Sequence, residues 1–270
     1  METRARRKKN VRPFQVGTGQ RNLSEEERYA FDVTGFMILE NLLTADEVSD
    51  ARGRLDAAFS SPSPGVKRQQ NGPEVELLNV MECGGVLEDL VASNRLVKAM
   101  EELILGSQIR LVASRAIFRE SGITGEITQG GLADPRRYTR YRSFLQGEMR
   151  CLMVSCLIAL DDTSNGDGSF SVIPASHKSN FPHPYPQDNL EEVAVLRDLP
   201  LLAGSAVVFS ESLSHAMKAS ISEERRWLLY QYGPSYMVSW PGCNASEALR
   251  ERASRDETKA RLLREPYYHP

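Results

Sequence analysis

The chain has 270 residues, of which 41% are hydrophobic and 26% are charged, an ordinary composition for a globular protein. Its net charge of −3 excludes a basic nucleic-acid surface spread over the whole chain, and it has no apolar run long enough to span a membrane. This length allows one or two domains, and all-β barrels and sandwiches often reach it as one domain.

The start of the chain is basic, because residues 1–12 hold six Lys or Arg side chains against the single acid Glu2. Such a terminus is typical of a disordered tail, which we predict for residues 1–22, with a targeting or nucleic-acid-binding arm as the alternative. No apolar stretch follows, which argues against a secretory signal. The cysteines form neither a Cys-x-x-Cys pair nor a zinc-type cluster, so we expect free thiols and a cytoplasmic protein. They are Cys83, Cys151, Cys156 and Cys243.

Two capping boxes, in which a Glu lies three residues after a Ser or Thr cap, predict that helices start after Ser24 and Thr44. The first helix should run toward Asp32 and be followed by a strand over residues 35–39. The second helix carries apolar or small residues at helical spacing. They are Val48, Ala51, Leu55 and Ala58.

The middle of the chain changes from helical to strand patterns. Residues 60–73 are rich in Ser, Pro, Gly and Gln and predict a surface loop, and residues 86–105 predict a third helix that ends at Gly106. A charged helix is predicted over residues 246–264. Between them, short apolar runs separated by turn residues predict antiparallel strands, and this order of elements indicates an α+β fold. The predicted strands are residues 109–113, 116–118, 151–160, 170–173, 206–209 and 227–232.

Three segments carry a more specific pattern. Residues 31–44 combine a helix end, a glycine turn, a strand and the Leu-Leu-Thr start of a helix. Residues 159–181 contain Ala-Leu-Asp-Asp and then Asn-Gly-Asp-Gly-Ser-Phe-Ser-Val-Ile-Pro-Ala-Ser-His. Residues 203–226 run from Ala-Gly-Ser-Ala-Val-Val-Phe through a histidine to Arg-Arg. Together these segments resemble the phytanoyl-CoA dioxygenase family of iron(II)/2-oxoglutarate oxygenases, and the resemblance covers about residues 24–270.

The resemblance implies a double-stranded β-helix (a jelly-roll, cupin-like core) with buttressing N-terminal helices and a C-terminal helix, as a single domain over residues 23–270. It also implies a small-molecule substrate, with iron(II) and 2-oxoglutarate as cofactors. In this family a His-x-Asp pair and a distal His hold the metal on one face. His215 matches the distal His.

Arg226, eleven residues after His215, matches the family arginine that holds the far carboxylate of 2-oxoglutarate with two hydrogen bonds. Alternation along the predicted strand places Arg226 on the face of Leu228 and Tyr230, which we expect to point into the barrel. Arg225 is the alternative if the strand register shifts by one residue.

The His-x-Asp pair is missing from the sequence. No histidine precedes His177, and the matching segment has Gln129 at the His position and Gly131 at the Asp position. Because Gln is a weak neutral ligand and Gly offers none, we expect iron(II) to bind poorly. Asp134 or Glu126 is the alternative source of a carboxylate. Family halogenases also lack this carboxylate but keep both histidines, so halogenation is not supported.

Three residues are the catalytic candidates, namely His215, Gln129 and Tyr141, the last as part of a pocket mouth with Tyr138 and Arg142. We expect His177 to be structural. An acidic group in the central motif more plausibly shapes turns than binds a metal. Its members are Asp161, Asp162 and Asp167.

The sequence supports three hypotheses of function. The first is an iron(II)/2-oxoglutarate oxygenase of a small natural product, with His215 on the metal and Arg226 on 2-oxoglutarate. The second is an iron-free relative that binds a small carboxylate or catalyses a redox-neutral isomerisation or cyclisation. The third is a regulatory or scaffolding protein that docks through its basic tail. We expect no nucleic acid on the domain, and the sequence carries no signal of oligomeric state.

Overall fold

The computed structural model describes residues 23–72, 74–104, 108–128, 141–143, 149–185, 189–221 and 223–267. The chain enters the fold through helix α1 (Glu25–Thr34), strand β1 (Phe36–Leu39) and helix α2 (Ala45–Ser60). Ser24 and Thr44 each accept a hydrogen bond from the backbone of the Glu three residues later, and that Glu side chain reaches back to the cap. Both predicted capping boxes are therefore confirmed.

The segment predicted as a loop after α2 contains a hairpin instead. Strand β2 (Lys67–Asn71) pairs in antiparallel register with strand β3 (Glu74–Leu78). All five residues of β2 are exposed and polar, so the sequence lacks the alternation of apolar and polar residues that would predict a strand. The backbone of β3 holds β2 at the edge of a sheet, and the loop prediction is wrong there.

The long helix predicted over residues 86–105 is interrupted. Helix α3 (Val86–Asp89) passes into a 3₁₀ turn, and helix α4 (Asn94–Leu103) then begins anew. The backbone of Ser93 is extended, with ψ at 120°, and this conformation ends one helix before the next can start. Gly106, the predicted stop, lies outside the described residues.

Two antiparallel sheets form the rest of the fold. The remaining strands are β4 (Ile109–Arg119), β5 (Tyr141–Ser143), β6 (Met149–Cys151), β7 (Val154–Ala159), β8 (Phe170–Val172), β9 (Arg197–Leu199), β10 (Ala206–Ser210), β11 (His215–Met217) and β12 (Arg225–Pro234). The large sheet has the order β1-β10-β7-β12-β4-β3-β2, and the small one has the order β11-β8-β9. Among the described strands, β5 and β6 form a separate antiparallel pair.

The central strands of the large sheet are buried on both faces. On β12, Leu228 and Tyr230 pack in the core that also contains the helices, and the Tyr230 hydroxyl donates to the Leu87 carbonyl at 2.6 Å. Trp227 lies on the opposite face, in a second core between the two sheets. That inner core contains side chains from both sheets, including Phe209, so the sheets enclose a barrel interior. The predicted double-stranded β-helix is confirmed.

The charged helix predicted at the end of the chain consists of two helices, α5 (Glu247–Ala253) and α6 (Glu257–Leu262). Asp256 separates them, because its side chain accepts a hydrogen bond from the Lys259 backbone and so caps the second helix. No helix within the described ranges is both long and apolar enough to cross a bilayer.

Candidate active site

His215 begins strand β11 and lies between two partners. On one side it pairs with Val172 of β8. On the other it exchanges both backbone hydrogen bonds with Thr128, at 2.8 and 2.9 Å. This bridge brings the segment before Gln129 beside the predicted metal ligand, as the sequence match implied.

The His215 ring has a defined orientation. Its Nδ1 lies 2.7 Å from the carbonyl oxygen of Leu213. Because a carbonyl can only accept, Nδ1 carries a proton. Nε2 lies 3.0 Å from the Thr128 hydroxyl, which also donates to the His215 carbonyl oxygen at 3.3 Å. A main-chain carbonyl on the far nitrogen is also how metal-bound histidines are commonly oriented.

A cavity of about 470 Å³ lies against His215. One wall is aromatic and aliphatic, and Phe170 and Phe209 pack on the imidazole itself with ring centroids 5.4 and 4.9 Å away. The other members of that wall are Ile117, Leu157 and Leu229. The polar residues of the lining are Asn71, Glu74, Arg119, Thr124, Glu126, Thr128 and His215. A cavity of this size and mixed lining suits a small molecule.

Arg119 is the arginine of this cavity, and the sequence analysis missed it. Its Nη1 forms a 2.8 Å ion pair with Glu74, and its Nε donates to the Ile123 carbonyl at 3.0 Å. Only 4% of the Arg119 side chain is exposed, and burial lowers its pKa and raises that of Glu74, although the Arg119 charge opposes the rise at Glu74. A Cβ at Gly125 would lie 2.9 Å from Nη2, so a glycine gives the guanidinium its space.

Glu126 also lines the cavity. Gly125 donates its N–H to the Met217 carbonyl, which continues the antiparallel pairing that begins at Thr128 and His215. Glu126 thus stands diagonally across from His215, a position within reach of a long side chain. Among the described residues, no ion-pair or hydrogen-bond partner of the Glu126 carboxylate is found.

Arg226 lies outside the cavity. Its Nη1 lies 3.1 Å from Asp56 of α2, and its backbone N–H donates to Asp161 at 2.7 Å. The expectation that it points into the barrel is wrong, because Leu228 and Tyr230, which share its face, pack against the helices. Its role in holding 2-oxoglutarate stays a prediction that this position does not favour.

Arg225 shares the inward face of β12 with Trp227, but it is also turned from the cavity. Its guanidinium lies 3.2 Å from Glu223 and 3.5 Å from Asp167. A Cβ at Gly168 would lie 3.0 Å from its side chain, so this arginine packs closely on the turn of the central motif.

Tyr141 belongs to a separate cluster. Its hydroxyl donates to the Asp32 carboxylate, and its ring meets His177 edge-on with centroids 4.7 Å apart. Lys178 pairs with the same carboxylate at 3.1 Å. The Tyr141 side chain thus ties β5 to α1 and is not among the residues that line the cavity beside His215, and its place at a pocket mouth stays a prediction. Tyr138 lies outside the described residues, as does the Arg142 side chain.

The acids of the central motif serve turns and ion pairs, as predicted. Asp162 accepts the Ala203 N–H at 2.7 Å, and Asp167 accepts the Ile221 N–H at 2.8 Å. Asp161 accepts from the Arg226 backbone and from the Arg52 side chain. All three carboxylates are therefore engaged in hydrogen bonds within the protein.

Comparison with known proteins decides the family. The model of the family "Phytanoyl-CoA dioxygenase (PhyH)" matches residues 31–227. The chain belongs to this family. The phytanoyl-CoA dioxygenase family comprises iron(II)/2-oxoglutarate-dependent oxygenases of small molecules, so the chain is of an enzyme class. An ectoine dioxygenase of Nocardia farcinica (strain IFM 10152) is 26% identical, and the match covers 73% of each chain.

Solved structures share the fold. HygX from Streptomyces hygroscopicus, with nickel and 2-oxoglutarate bound, has a TM-score of 0.70 at 22% identity and covers 84% of this chain and 94% of its own. The epimerase SnoN, in complex with Fe³⁺, alpha ketoglutarate and nogalamycin RO, has a TM-score of 0.61 at 16% identity and covers 91% and 95%.

The phytanoyl-CoA dioxygenase family holds iron with three side chains, and the described residues of this member supply only part of such a set. His215 fits, because the Leu213 carbonyl holds its Nδ1–H and leaves Nε2 as the ring nitrogen that could bind a metal. No group of three or more His, Cys, Asp or Glu that could hold a metal is found in the described parts of the chain. Gln129, Gly131 and Asp134 lie outside them. The side chains of the described residues therefore do not complete the set of ligands that an iron site needs.

Proposed function

We propose that this chain is an iron(II)/2-oxoglutarate-type oxygenase of a small molecule, such as an intermediate of natural-product biosynthesis, and that the cavity beside His215 is its reaction site. The observation that carries the proposal is the carbonyl-held imidazole, which lines a small-molecule cavity in a chain of this family. HygX, with nickel, 2-oxoglutarate and hygromycin B bound, is one relative in fold that supports it.

We assign no chemical step to iron, because the described residues do not complete its ligand set. The chain's own groups have clear roles in binding. Phe170 and Phe209 give the cavity an apolar wall, and the Leu213 carbonyl fixes the ring of His215. For a carboxylate such as that of 2-oxoglutarate, Arg119 is the arginine that lines the cavity among the described residues, and it is paired there with Glu74, whereas Arg226 is paired with Asp56 and Asp161 outside the lining.

We also propose a cytoplasmic location and a degenerate metal motif. All four cysteines are free thiols in the structure, which is what a reducing compartment favours. Gln129 and Gly131 are the residues at the expected ligand positions, and neither is a strong iron ligand.

A second candidate function is an iron-free, redox-neutral reaction such as isomerisation or cyclisation. It is favoured by the satisfied state of His215, whose two ring nitrogens are both hydrogen-bonded to the protein. A neutral imidazole that lines a cavity can accept a proton without any metal.

The deciding experiment is an anaerobic titration of metal-stripped protein with iron(II) and then 2-oxoglutarate, followed by the visible charge-transfer band of the chelate. The oxygenase proposal requires a band that saturates near one iron per chain, that is lost in His215→Asn and that is kept in the control His183→Asn, at a histidine outside the cavity lining. Arg226→Gln should keep it as well, since that side chain lies outside the cavity. Absence of the band in the wild-type protein would reject the oxygenase and favour the iron-free candidate.

A further inference from the structure

The hairpin of β2 and β3 forms part of the wall of the cavity beside His215. Asn71, Gly72 and Glu74, near the turn of that hairpin, are among the lining residues. Asn71 and Glu74 lie opposite each other in the antiparallel register, so their side chains share one face of the sheet. That face is the inner one, because Glu74 pairs with Arg119 of the cavity at 2.8 Å. A polar edge strand thus contributes to a site for a small molecule.

A buried carboxylate fixes the amide of Asn71. Glu76 follows Glu74 on the same face of β3, and only 3% of its side chain is exposed. Its Oε1 accepts a hydrogen bond from Asn71 Nδ2 at 2.8 Å, and its Oε2 accepts one from Gln69 Nε2 at 2.8 Å. Arg115 Nη1 lies 3.6 Å from the same Oε2. Because an amide nitrogen only donates, Asn71 turns its nitrogen to Glu76, and its Oδ1 is the acceptor that it offers to a ligand.

Glu76 stands at the end of a row of hydrogen bonds across the inner face of the large sheet. Arg115 Nη2 donates to Gln231 Oε1 at 2.7 Å, and Gln231 Nε2 donates to Ser155 at 3.1 Å and to Glu211 at 3.2 Å. Three members of the row, on β4, β12 and β7, lie two residues from cavity-lining residues of the same strand. Those lining residues are Ile117, Leu229 and Leu157. The row therefore forms the next layer of the barrel interior.

A row of this kind defines geometry more than it adds stability. Burying polar groups costs free energy unless each is hydrogen-bonded, and apolar side chains of similar size often fill such a layer as stably. What the row supplies is orientation, because each side chain fixes the donor and acceptor of the next. The end of the row at β2 reaches the cavity through Asn71.

We propose that Asn71 binds the substrate through its Oδ1 and that Glu76 positions it. The cavity then selects a substrate whose polar group donates a hydrogen bond, such as a hydroxyl or an amide N–H, beside the apolar wall of Phe170 and Phe209. This inference rests on the proposed function in one respect, namely that the cavity beside His215 is the substrate site.

The test compares two probes of nearly the same shape, benzamide and acetophenone, which carry an NH₂ and a CH₃ group at the same place. Their affinities for the full-length protein are measured by NMR titration. We expect benzamide to bind about fivefold more tightly, the net contribution of one hydrogen bond. Asn71→Leu should abolish this preference. Gln69→Leu is the matched control and should keep it, since Gln69 makes the same bond to Glu76 but does not line the cavity.

Glu76→Gln tests the positioning role. The new side chain has nearly the same size but only one acceptor oxygen, so the Asn71 amide can turn around, and the preference for benzamide should fall while acetophenone binds as before. A purely structural role of Glu76 would lower the midpoint of unfolding without changing the ratio of the two affinities. Glu76→Asp, which withdraws the carboxylate by one methylene, is the second variant if Glu76→Gln does not fold, and it should lower the preference too.

The assignment of Asn71 is overturned by equal affinities of the two probes for the wild-type protein, by no binding of either probe, or by an unchanged preference in Asn71→Leu. An unchanged preference in the folded Glu76 variant overturns the positioning role. The iron(II) and 2-oxoglutarate titration reads the oxygenase proposal separately, so either idea can fail alone.

Discussion

His177 and His215 are held by the same kind of contact in different surroundings. In both, one ring nitrogen donates to a main-chain carbonyl, that of Asp32 for His177 and that of Leu213 for His215. His215 lines a cavity and its second nitrogen has a hydroxyl partner. His177 is buried, and within the described structure its Nδ1 has no partner. Burial lowers the pKa of His177 to about 4.

This burial predicts a pH dependence of stability. The unfolded chain takes up a proton on His177 near its ordinary pKa of 6.5, whereas the folded chain resists protonation until about 4. The stability is therefore fully present above pH 6.5 and is lost as the pH falls toward 4, by about 2 kcal/mol between pH 7 and pH 5. Urea unfolding at both pH values measures it, and His177→Asn should reduce the difference by this amount. An equal loss in wild type and variant would contradict the assignment.

The two arginines of β12 show which property of a single residue the sequence could not predict. Alternation correctly separates Arg225 from Arg226, but it cannot say which face is the inner one. Leu228 and Tyr230 are as apolar as Trp227, because the strand is buried on both faces. Arg119 was missed because it follows the predicted strand over residues 116–118, and its pairing with β3 and β12 is not visible in the sequence. Glu126 was recognised as a carboxylate source, but its place beside His215 required the strand pairing.

At the scale of elements, the junction of α1 and β1 depends on one glycine. Gly35 has φ at 86°, a left-handed conformation that ends the helix. A Cβ at this position would lie 2.5 Å from His177 Nδ1 and 2.9 Å from Leu213. The glycine therefore provides both the turn and the close approach of the buried histidine.

We predict opposite effects of alanine at two glycines. Gly35→Ala should lower the free energy of unfolding by at least about 2 kcal/mol, from backbone strain and the clash with His177. Gly53→Ala, inside α2 with nothing within 4 Å of the new Cβ, should raise it by up to about 1 kcal/mol. Chemical denaturation of both variants checks this, and a neutral Gly35→Ala would show that the junction can rearrange.

Elements with strong local signals were predictable, and those without were not. Ser24 and Thr44 locate helix starts because capping is a local interaction. The strand Lys67–Asn71 gave no signal, since its side chains are polar and its pairing is made by the backbone of β3. The break at Ser93 was missed because apolar residues continue through it on both sides.

At the scale of the whole molecule, the described core begins at Leu23. This side chain is buried in the large core, and its N–H donates to Glu102 of α4 at 2.7 Å. Arg28 of α1 pairs with the same carboxylate. These contacts support the prediction of a single domain over residues 23–270.

We predict that a chain starting at Leu23 unfolds in one transition, with a midpoint within about 2 °C of the full-length protein. A chain starting at Glu25 should unfold several degrees lower, because it lacks the buried Leu23 and the helix cap Ser24. Calorimetry of the three proteins measures this. Two separate transitions in the longer truncated chain would contradict the single domain.

The hold of the Leu213 carbonyl on His215 has a consequence for engineering. The ring is oriented by a main-chain carbonyl two residues earlier in the chain. Its orientation therefore follows from the backbone conformation, and this contact involves no other side chain. We predict that substituting Gln129 by His and Gly131 by Asp supplies the two residue types that the family motif has at these positions. On that prediction a full facial set of donors lies two point mutations away, which makes the chain a compact starting material for building a new oxidation catalyst.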